Sequence, residues 1–261
     1  MKLINLNIWG GKIYEPLMDF IEKNRDTTDI FCFQEIFKSD KDRITNGVHA
    51  NNLGEISKIL SDFNFYFSST NSGFDIEGPV NFPLSFGQAN FIKKGIAVKN
   101  ESNVFVYRKE NDMGPTFGNG RPNFPRNFIY SEIDVNGKSF LVLNIHGYWE
   151  PAPKYDTPQR FEQTKIILEF IKKYDIPIIL AGDLNLGLNT QSLLMIEEKL
   201  QNLVKKYELK TTRSNVYPEE YKDFDKFADY IFVSDGVVVN DFRVLTDEVS
   251  DHLPLYLEFE V

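Results

Sequence analysis

A carboxylate and an amide follow the most clearly apolar segment of the chain. The run Pro177–Ala181 ends in Gly-Asp183-Leu-Asn185. Short apolar runs are typical of buried strands, and functional side chains gather where such strands end. Side chains two residues apart in extended backbone point the same way, so Asp183 and Asn185 can act on one ligand. Both suit a hard cation or a phosphate group, although an Asx turn that closes the strand is an equally simple alternative.

Polar groups end or interrupt five further apolar runs, at Asn7, Gln34-Glu35, Asn144-Ile-His146, Asp229 and Ser250-Asp251-His252. Taken alone, Asn7 could form a turn, Glu35 could be solvated and His146 could be a structural histidine. Asp229 is harder to dismiss, because it lies within an apolar run and a buried carboxylate needs a partner. The adjacent carboxylate and imidazole of Asp251-His252 suit metal or phosphate chemistry, but they could also cap a strand.

The elements that must position these groups are mostly strands. Strands are predicted at Leu3–Ile8, Asp29–Phe33, Gly95–Val98, Val104–Tyr107, Phe128–Val135, Phe140–Ile145, Pro177–Ala181, Ala228–Val233 and Leu253–Phe259. The Asn-Gly pair within Asp134–Lys138 predicts an antiparallel hairpin. Helical spacing of apolar residues begins at Leu17, Leu53 and Phe161, and it predicts a fourth helix from about Thr190 to Tyr207. Two irregular stretches, Ser68–Phe91 and Asn111–Pro125, are predicted to be long loops.

Composition narrows the class of protein. Many strands with few helices predict two sheets packed face to face, and no linker divides residues 1–261, which are expected to form one domain. The net charge of −9 disfavours a broad surface for duplex nucleic acid and suits a site completed by a divalent cation. No apolar run approaches the ~20 residues of a membrane span, so no stable membrane insertion is expected. The N-terminus lacks signal-peptide features, and no heptads are evident, so a cytoplasmic monomer is expected.

The polar motifs resemble those of the endonuclease/exonuclease/phosphatase superfamily. They are, in order, Leu-Asn7-Ile-Trp, Gln34-Glu35, Asn144-Ile-His146, Gly-Asp183-Leu-Asn185, Asp229-Tyr-Ile and Ser-Asp251-His252. The resemblance implies a DNase I-like fold of the α/β (α+β) class. That fold is a four-layered α/β/β/α sandwich of two mostly antiparallel sheets flanked by helices. It also implies hydrolysis of a phosphate ester with Mg²⁺, for which Mn²⁺ could substitute.

The resemblance implies a role for each matching residue. Glu35 is similar to the principal Mg²⁺ ligand, and Asn7 and Asp251 match positions near that ion. Asp183 is similar to the residue that orients or deprotonates the attacking water, and Asn185 to a neighbour that contacts the phosphate. His252 matches a histidine on the scissile phosphate, and Asp229 the carboxylate that orients a histidine. His146 matches a strand-end histidine that apurinic endonucleases lack. Arg126 matches an arginine that could contact phosphate, although an ordinary surface arginine is the alternative.

The substrate is left open by the sequence. Trp149 lies in a segment just after His146 whose aromatic residues could stack on a base or sugar, although core packing is the alternative. Three hypotheses remain. The first is a phosphodiesterase or nuclease that uses direct in-line attack of an activated water, with a nucleic acid or nucleotide as possible substrate. The second is a phosphomonoesterase or a sphingomyelinase-type phospholipase. The third is a non-catalytic binding module, against which the full set of polar residues argues.

Overall fold

A computed structural model describes residues 1–219 and 225–261. The strands are β1 (Lys2–Asn7), β2 (Ile30–Lys38), β3 (Ile44–Thr45), β4 (Val48–His49), β5 (Phe63–Ser72), β6 (Ser85–Lys93), β7 (Ala97–Tyr107), β8 (Arg126–Val135), β9 (Lys138–His146), β10 (Ile178–Asp183), β11 (Gln201–Asn202), β12 (Asp229–Val233), β13 (Val238–Val244) and β14 (Leu255–Glu260). The α-helices are α1 (Tyr14–Asn24), α2 (Asn52–Ile59), α3 (Pro158–Ile171), α4 (Gln191–Glu197) and α5 (Leu203–Lys206).

Two large sheets organise these strands. The first sheet has the order β13-β14-β1-β2-β6-β5, and the second has the order β11-β12-β10-β9-β8-β7. Only two neighbouring pairs within the described sheets are parallel, β1 with β2 and β9 with β10. Parallel neighbours need a crossover, and α1 and α3 lie in those two connections. The predicted hairpin is confirmed, because β8 and β9 pair antiparallel around Asn136 and Gly137, which both have positive φ.

The helices cover the outer faces of the two sheets. Leu17 and Ile21 of α1 and Ile56 of α2 pack with Phe31 and Phe33 of the first sheet. Residues of α3 and α4 join the larger core cluster around the second sheet, where β10 is buried along its whole length. The predicted four-layered sandwich is therefore confirmed. No helix in the described parts of the chain is long and apolar enough to cross a membrane.

Buried amides connect the two sheets beneath the polar strand ends. Gln34 of the first sheet donates to Asn144 Oδ1 of the second at 2.6 Å. Asn144 donates in turn to Asn90 Oδ1 of the first sheet at 3.0 Å, and Gln88 donates to Asn127 Oδ1 at 2.9 Å. Such a network favours one register, because any slip would leave buried polar groups without partners. Asn144, which belongs to one of the family-like motifs, and Gln88 therefore fix how the sheets meet.

The predicted helix from Thr190 to Tyr207 is wrong in its length. Helix α4 ends at Glu197, β11 follows at Gln201–Asn202, and α5 then begins at Leu203. Asn202 causes the break, because its backbone pairs with β12 and its side chain caps α5 by accepting from Lys205 N at 3.3 Å. The apolar stripe that suggested one helix is nevertheless buried.

Two further predictions were wrong in extent. Gly95–Val98 and Val104–Tyr107 were predicted as separate strands, but one continuous strand, β7, runs from Ala97 to Tyr107, and Gly95 precedes it. The predicted loop Ser68–Phe91 contains the end of β5 and most of β6, so only residues 73–84 are irregular. Gly87, which suggested a loop, lies inside β6, where a Cβ would meet Ser68 O at 2.0 Å. The second predicted loop, Asn111–Pro125, does lie between β7 and β8.

Candidate active site

The fold brings the predicted polar residues to one end of both sheets. Asn7 ends β1, His146 ends β9 and Asp183 ends β10. Because β9 and β10 are parallel, Asp183 lies in register with His146, and the antiparallel β12 places Asp229 in register with Asp183 on its other side. Asp251 and His252 lie in the turn before β14. The residues of this one cluster therefore come from both sheets.

Glu35 reaches this cluster through an irregularity in β2. It was predicted to follow the strand, but β2 continues to Lys38. The register between β2 and β6 shifts between Gln34 and Ile36, and Glu35 has φ +60°. A bulge of this kind turns one side chain away from the regular alternation of the strand. The bulge, and not a strand end, presents the Glu35 carboxylate, whose side chain is 17% exposed.

Asn7 connects two carboxylates of the cluster. Its Nδ2 donates to Glu35 Oε1 and to Asp183 Oδ2, both at 3.1 Å. Its Oδ1 accepts from the backbone N–H of Trp9 at 3.0 Å, which fixes the orientation of the amide. Trp9 has φ +51°, an uncommon conformation for a bulky residue. In this arrangement Asn7 meets the carboxylates with its nitrogen, so its oxygen contacts the chain and not the centre of the cluster.

Asp229 and His252 form a buried pair. Asp229 Oδ2 lies 2.7 Å from His252 Nδ1, and the Asp229 backbone N–H donates to Thr212 Oγ1 at 3.3 Å. Burial raises the pKa of Asp229 to about 7. Burial and the nearby Arg213 guanidinium lower the pKa of His252 to about 4. With Nδ1 held by Asp229, the neutral ring turns Nε2 toward Asp183, whose Oδ2 is 3.8 Å away.

His146 lies on the other side of Asp183. Its Nε2 is 3.5 Å from Glu35 Oε1 and 4.0 Å from Asp183 Oδ2. Arg126 Nη1 contacts the ring nitrogens at 2.9 Å, and Arg126 itself is buried. Burial and the charge of Arg126 hold the pKa of His146 well below its usual value, so the ring is neutral. The alternative that Arg126 is an ordinary surface arginine is wrong.

Three charged residues at the site lie outside the polar strand-end motifs of the sequence: Lys154, Arg213 and Asp225. Lys154 Nζ lies 3.1 Å from Asn185 Oδ1 and 3.2 Å from Asp225 Oδ2. Arg213 contacts His252 Nε2 and packs over the Tyr217 ring at 4.2 Å. All three come from loops, where no periodicity of the sequence marks which side chain points inward. The Lys154 loop and the Thr211–Arg213 stretch carried only a weak signal, basic residues beside aromatic ones.

The chemistry of the cluster fits a divalent cation. Five carboxylates lie around the two histidines, against three basic side chains; they are Glu35, Asp183, Asp225, Asp229 and Asp251, against Arg126, Lys154 and Arg213. If all ionise, two negative charges remain, which one divalent ion would balance. Burial and the charge of Asp251 raise the pKa of Glu35 to about 7. A nearby cation would reverse that effect and favour the carboxylate form.

Two groups of residues could hold such an ion. Ligand atoms of Asp183, Asp229 and His252 lie within 4.8 Å of one another. However, Asp229 and His252 already bond to each other, and Arg213 occupies His252 Nε2, so an ion there would have to displace both contacts. Glu35 and Asp251 offer carboxylate oxygens, which hard cations prefer. The Glu35 side of the cluster is therefore the better fit for Mg²⁺.

Loops enclose the cluster in a cavity of about 470 Å³. Trp9, Phe124 and Trp149 contribute to its walls, and Glu35, His146, Asp183 and His252 are among the residues that line it. The Arg121 guanidinium lies 5.6 Å from the centre of the Trp149 ring. A cavity of this size suits a small molecule with a few polar groups at its base. Trp149 thus lies in the cavity wall, where a substrate contact is predicted.

The chain matches the Endonuclease/Exonuclease/phosphatase family over residues 4–252. No curated protein matches it. Its fold is similar to an endonuclease/exonuclease/phosphatase family protein from Leptotrichia buccalis, with 16% identity, a TM-score of 0.74 and 100% of both chains covered. It is also similar to a mannosyl-6-phosphatase from Bacteroides thetaiotaomicron, with 19% identity, a TM-score of 0.70 and 100% of both chains covered. The human Nocturnin catalytic domain is 17% identical, with a TM-score of 0.68, and the match covers 100% of this chain and 93% of that domain.

Proposed function

We propose that this chain, which belongs to the endonuclease/exonuclease/phosphatase family, hydrolyses a phosphate ester by direct attack of a water molecule. One observation carries the proposal: the buried Asp229–His252 pair faces Asp183 across 3.8 Å, inside a cavity large enough for a small ester. A carboxylate and an oriented neutral imidazole are the groups that such a reaction needs beside the phosphorus. A binding module would have no use for this pairing.

Asp183 is the proposed acceptor of the proton from water. Its Oδ1 accepts the backbone N–H of Asn185 at 2.9 Å, and its Oδ2 accepts from Asn7 Nδ2 at 3.1 Å. Both bonds fix the carboxylate, and a fixed base near the phosphorus lowers the cost of ordering the water. Asn185 is proposed to donate an N–H to a non-bridging oxygen of the phosphate.

His252 and His146 are proposed to contact the phosphate from two sides. The Nδ1–H of His252 donates to Asp229, so Nε2 of the neutral ring is an acceptor that faces Arg213, and it would donate to a phosphate oxygen only once substrate displaces Arg213 and the ring takes up a proton. Arg126 beside His146 adds a permanent positive charge for the phosphate oxygens. Glu35 and Asp251, with Asn7 beside them, would hold a Mg²⁺ or Mn²⁺ ion. When bound, such an ion neutralises charge on the phosphate oxygens and assists the leaving oxygen.

The cavity favours an ester of a small molecule, such as a nucleotide or a sugar phosphate. Its walls of Trp9, Phe124 and Trp149 enclose the cluster, and the chain carries a net charge of −9. Duplex nucleic acid needs a broad basic surface, which this charge disfavours. A similarly folded protein is a mannosyl-6-phosphatase, which supports including sugar phosphates among the substrates tested. The second candidate is a nuclease or other phosphodiesterase in which the end of a single strand enters and stacks on Trp149.

A substrate panel at millimolar Mg²⁺ tests both candidates. It includes p-nitrophenyl phosphate, bis-p-nitrophenyl phosphate, mannose 6-phosphate, single-stranded RNA, plasmid DNA and sphingomyelin. We expect hydrolysis of a small ester, its loss with EDTA, and a fall of about 1,000-fold or more in Asp183→Asn, since the base of the reaction is removed. Asp134→Asn is the matched control, because Asp134 lies in the exposed β8–β9 hairpin and pairs with Lys99.

Each pattern of hydrolysis has a distinct meaning. Cleavage of RNA or plasmid DNA without release from small esters would favour the nuclease candidate. Release of phosphocholine from sphingomyelin would indicate a phospholipase of the same fold. Turnover that is equal in wild type and Asp183→Asn would exclude the proposed mechanism, and silence on every substrate would favour the non-catalytic hypothesis.

A further inference from the structure

Lys154 is a buried cation that reaches the site from a loop. Its side chain is 4% exposed, and its ammonium lies 3.1 Å from Asn185 Oδ1 and 3.2 Å from Asp225 Oδ2. Its backbone is also tied to the strand-end segment, because Gly187 N donates to Lys154 O at 2.9 Å. Burial of a lysine is costly unless its charge is paired and its donors are used. This buried lysine lies directly beside Asn185, the proposed phosphate contact.

The orientation of the Asn185 amide follows from its two partners. Lysine can only donate a hydrogen bond, so the atom that faces Lys154 Nζ must be the amide oxygen. The carbonyl oxygen of Gly147 can only accept, and it lies 3.2 Å from Asn185 Nδ2. Asn185 has φ +53°, and its backbone N–H donates to Asp183 Oδ1, which closes an Asx turn. The turn and the two partners together leave the amide one orientation.

A second set of contacts holds Lys154 in place. Asp225 pairs with the ammonium at 3.2 Å, and it also lies 3.8 Å from Arg213 Nη2 and accepts from the Tyr217 hydroxyl at 2.5 Å. Tyr217 packs against the Arg213 guanidinium. If the ammonium moved toward solvent, the buried Asp225 would lose its nearer cation and keep only Arg213, so this movement is costly.

We propose that Lys154 is a positioning residue, which forces Asn185 to present its amide N–H, and not its oxygen, to the bound phosphate. This inference rests on the proposed function, because it concerns the donor that the phosphate would meet. Without Lys154 only the bond to the Gly147 carbonyl oxygen would oppose rotation of the amide, and a half-turn would place its oxygen against the phosphate oxygens. Two acceptors facing each other repel, so the phosphate would lose a hydrogen bond and gain a repulsive contact.

A double-mutant cycle between Lys154 and Asn185 tests the inference. In the wild-type background, Lys154→Met is expected to lower kcat by about 30-fold with KM changed by less than about 3-fold, because the donor is misplaced in the transition state. In the Asn185→Ala background the same change should lower kcat by less than about 3-fold, because no amide remains to be oriented. Lys99→Met is the matched control, since Lys99 is half-exposed and pairs with Asp134 on the second sheet.

A direct phosphate contact by Lys154 would give a different result. The loss would then be equal in both backgrounds, or would appear in KM, and either outcome would overturn the positioning role. If Lys154→Met does not fold, the double variant Lys154→Met with Asp225→Asn removes the unbalanced buried charge and replaces it in the cycle.

A readout without turnover separates this inference from the proposed function. The Asn185 side-chain NH₂ signals in a ¹⁵N correlation spectrum, identified by their loss in Asn185→Ala, should shift on adding inorganic phosphate to the wild type. In Lys154→Met that shift should disappear. A shift that persists in Lys154→Met overturns the inference, even if turnover is found. A protein silent on every ester that still shows the Lys154-dependent shift would keep the inference and remove the proposed catalysis.

Discussion

Replacing Glu35 by Gln is expected to abolish turnover and yet to stabilise the metal-free protein above neutral pH. Burial and the charge of Asp251 raise the pKa of Glu35 from 4.5 to about 7. The folded state therefore holds the Glu35 proton more tightly than the unfolded state does. Below the unfolded pKa Glu35 is protonated in both states, so its ionisation does not lower the stability of the folded state. As pH rises from about 4.5 to about 7, ionisation becomes increasingly costly to the folded state, and the cost is complete above that window.

The size of the effect follows from the shift. A rise of about 2.5 pKa units corresponds to about 3 kcal/mol of lost stability. Glu35 is 17% exposed, so solvent removes only part of this cost. In the wild type, Asn7 Nδ2 donates to Glu35. Gln carries no charge and still offers an oxygen to accept this hydrogen bond. We expect Glu35→Gln to be more stable than wild type by about 1–3 kcal/mol at pH 8 in EDTA, and nearly equal at pH 5.

Urea unfolding followed by the fluorescence of Trp9 and Trp149 measures this difference. Added Mg²⁺ should raise the stability of the wild type at pH 8, since an ion that binds only the folded state stabilises it, and should raise that of Glu35→Gln much less. Glu15→Gln on the exposed side of α1 is the control, with an expected change within about 0.5 kcal/mol at both pH values. A Glu35→Gln protein that is less stable than wild type at pH 8, or equally shifted at both pH values, would refute the reasoning, as would undiminished turnover.

Three further changes test other parts of the site. Asp229→Asn should lower kcat by about 100-fold, because His252 Nδ1 loses the carboxylate that fixes the ring, and a fall of less than 3-fold in steady-state kinetics would contradict this role. Trp149→Ala should raise KM by about 10-fold with kcat nearly unchanged. A fall in kcat alone would show that Trp149 does not contribute to substrate binding in the ground state. Gly182→Ala should destabilise the fold by about 3 kcal/mol or more in thermal unfolding, because a Cβ would meet Ile145 O at 2.1 Å and Gly182 has φ +140°. An unchanged Tm would show that the backbone around Gly182 can move to accommodate the Cβ.

Much of the site could be predicted because its residues end buried strands. Asp183 and His146 follow apolar runs that could be read as strands, and the register of parallel strands then brings their ends together. The two alternatives weighed for Asp183–Asn185, an Asx turn and a functional site, are compatible with each other. The Asn185 N–H donates to Asp183 Oδ1, so the turn exists, and it holds two candidate site residues in place.

The rest depended on tertiary contacts that leave no pattern in the sequence. The bulge at Glu35 arises from pairing with β6, and β6 was itself hidden because Gly87 resembled a loop residue. Lys154 and Arg213 lie in loops whose inward side chains are selected by their partners, chiefly Asp225. A break in the predicted helix after Glu197 came from strand pairing by Asn202, which overrode helical spacing.

The strand order of the first sheet has a consequence for the order of folding. β1 lies between β2 and β14, so the first strand described pairs on one side with the last strand described. The entire second sheet, from β7 to β12, is made in between. Until β14 emerges from the ribosome, β1 presents an open apolar edge, a known hazard for aggregation. The same late segment carries Asp251 and His252, so an incomplete chain would lack both the proposed metal-binding carboxylate and the proposed phosphate-contacting histidine. Pairings this distant in sequence also predict slow folding, on the scale of milliseconds to seconds.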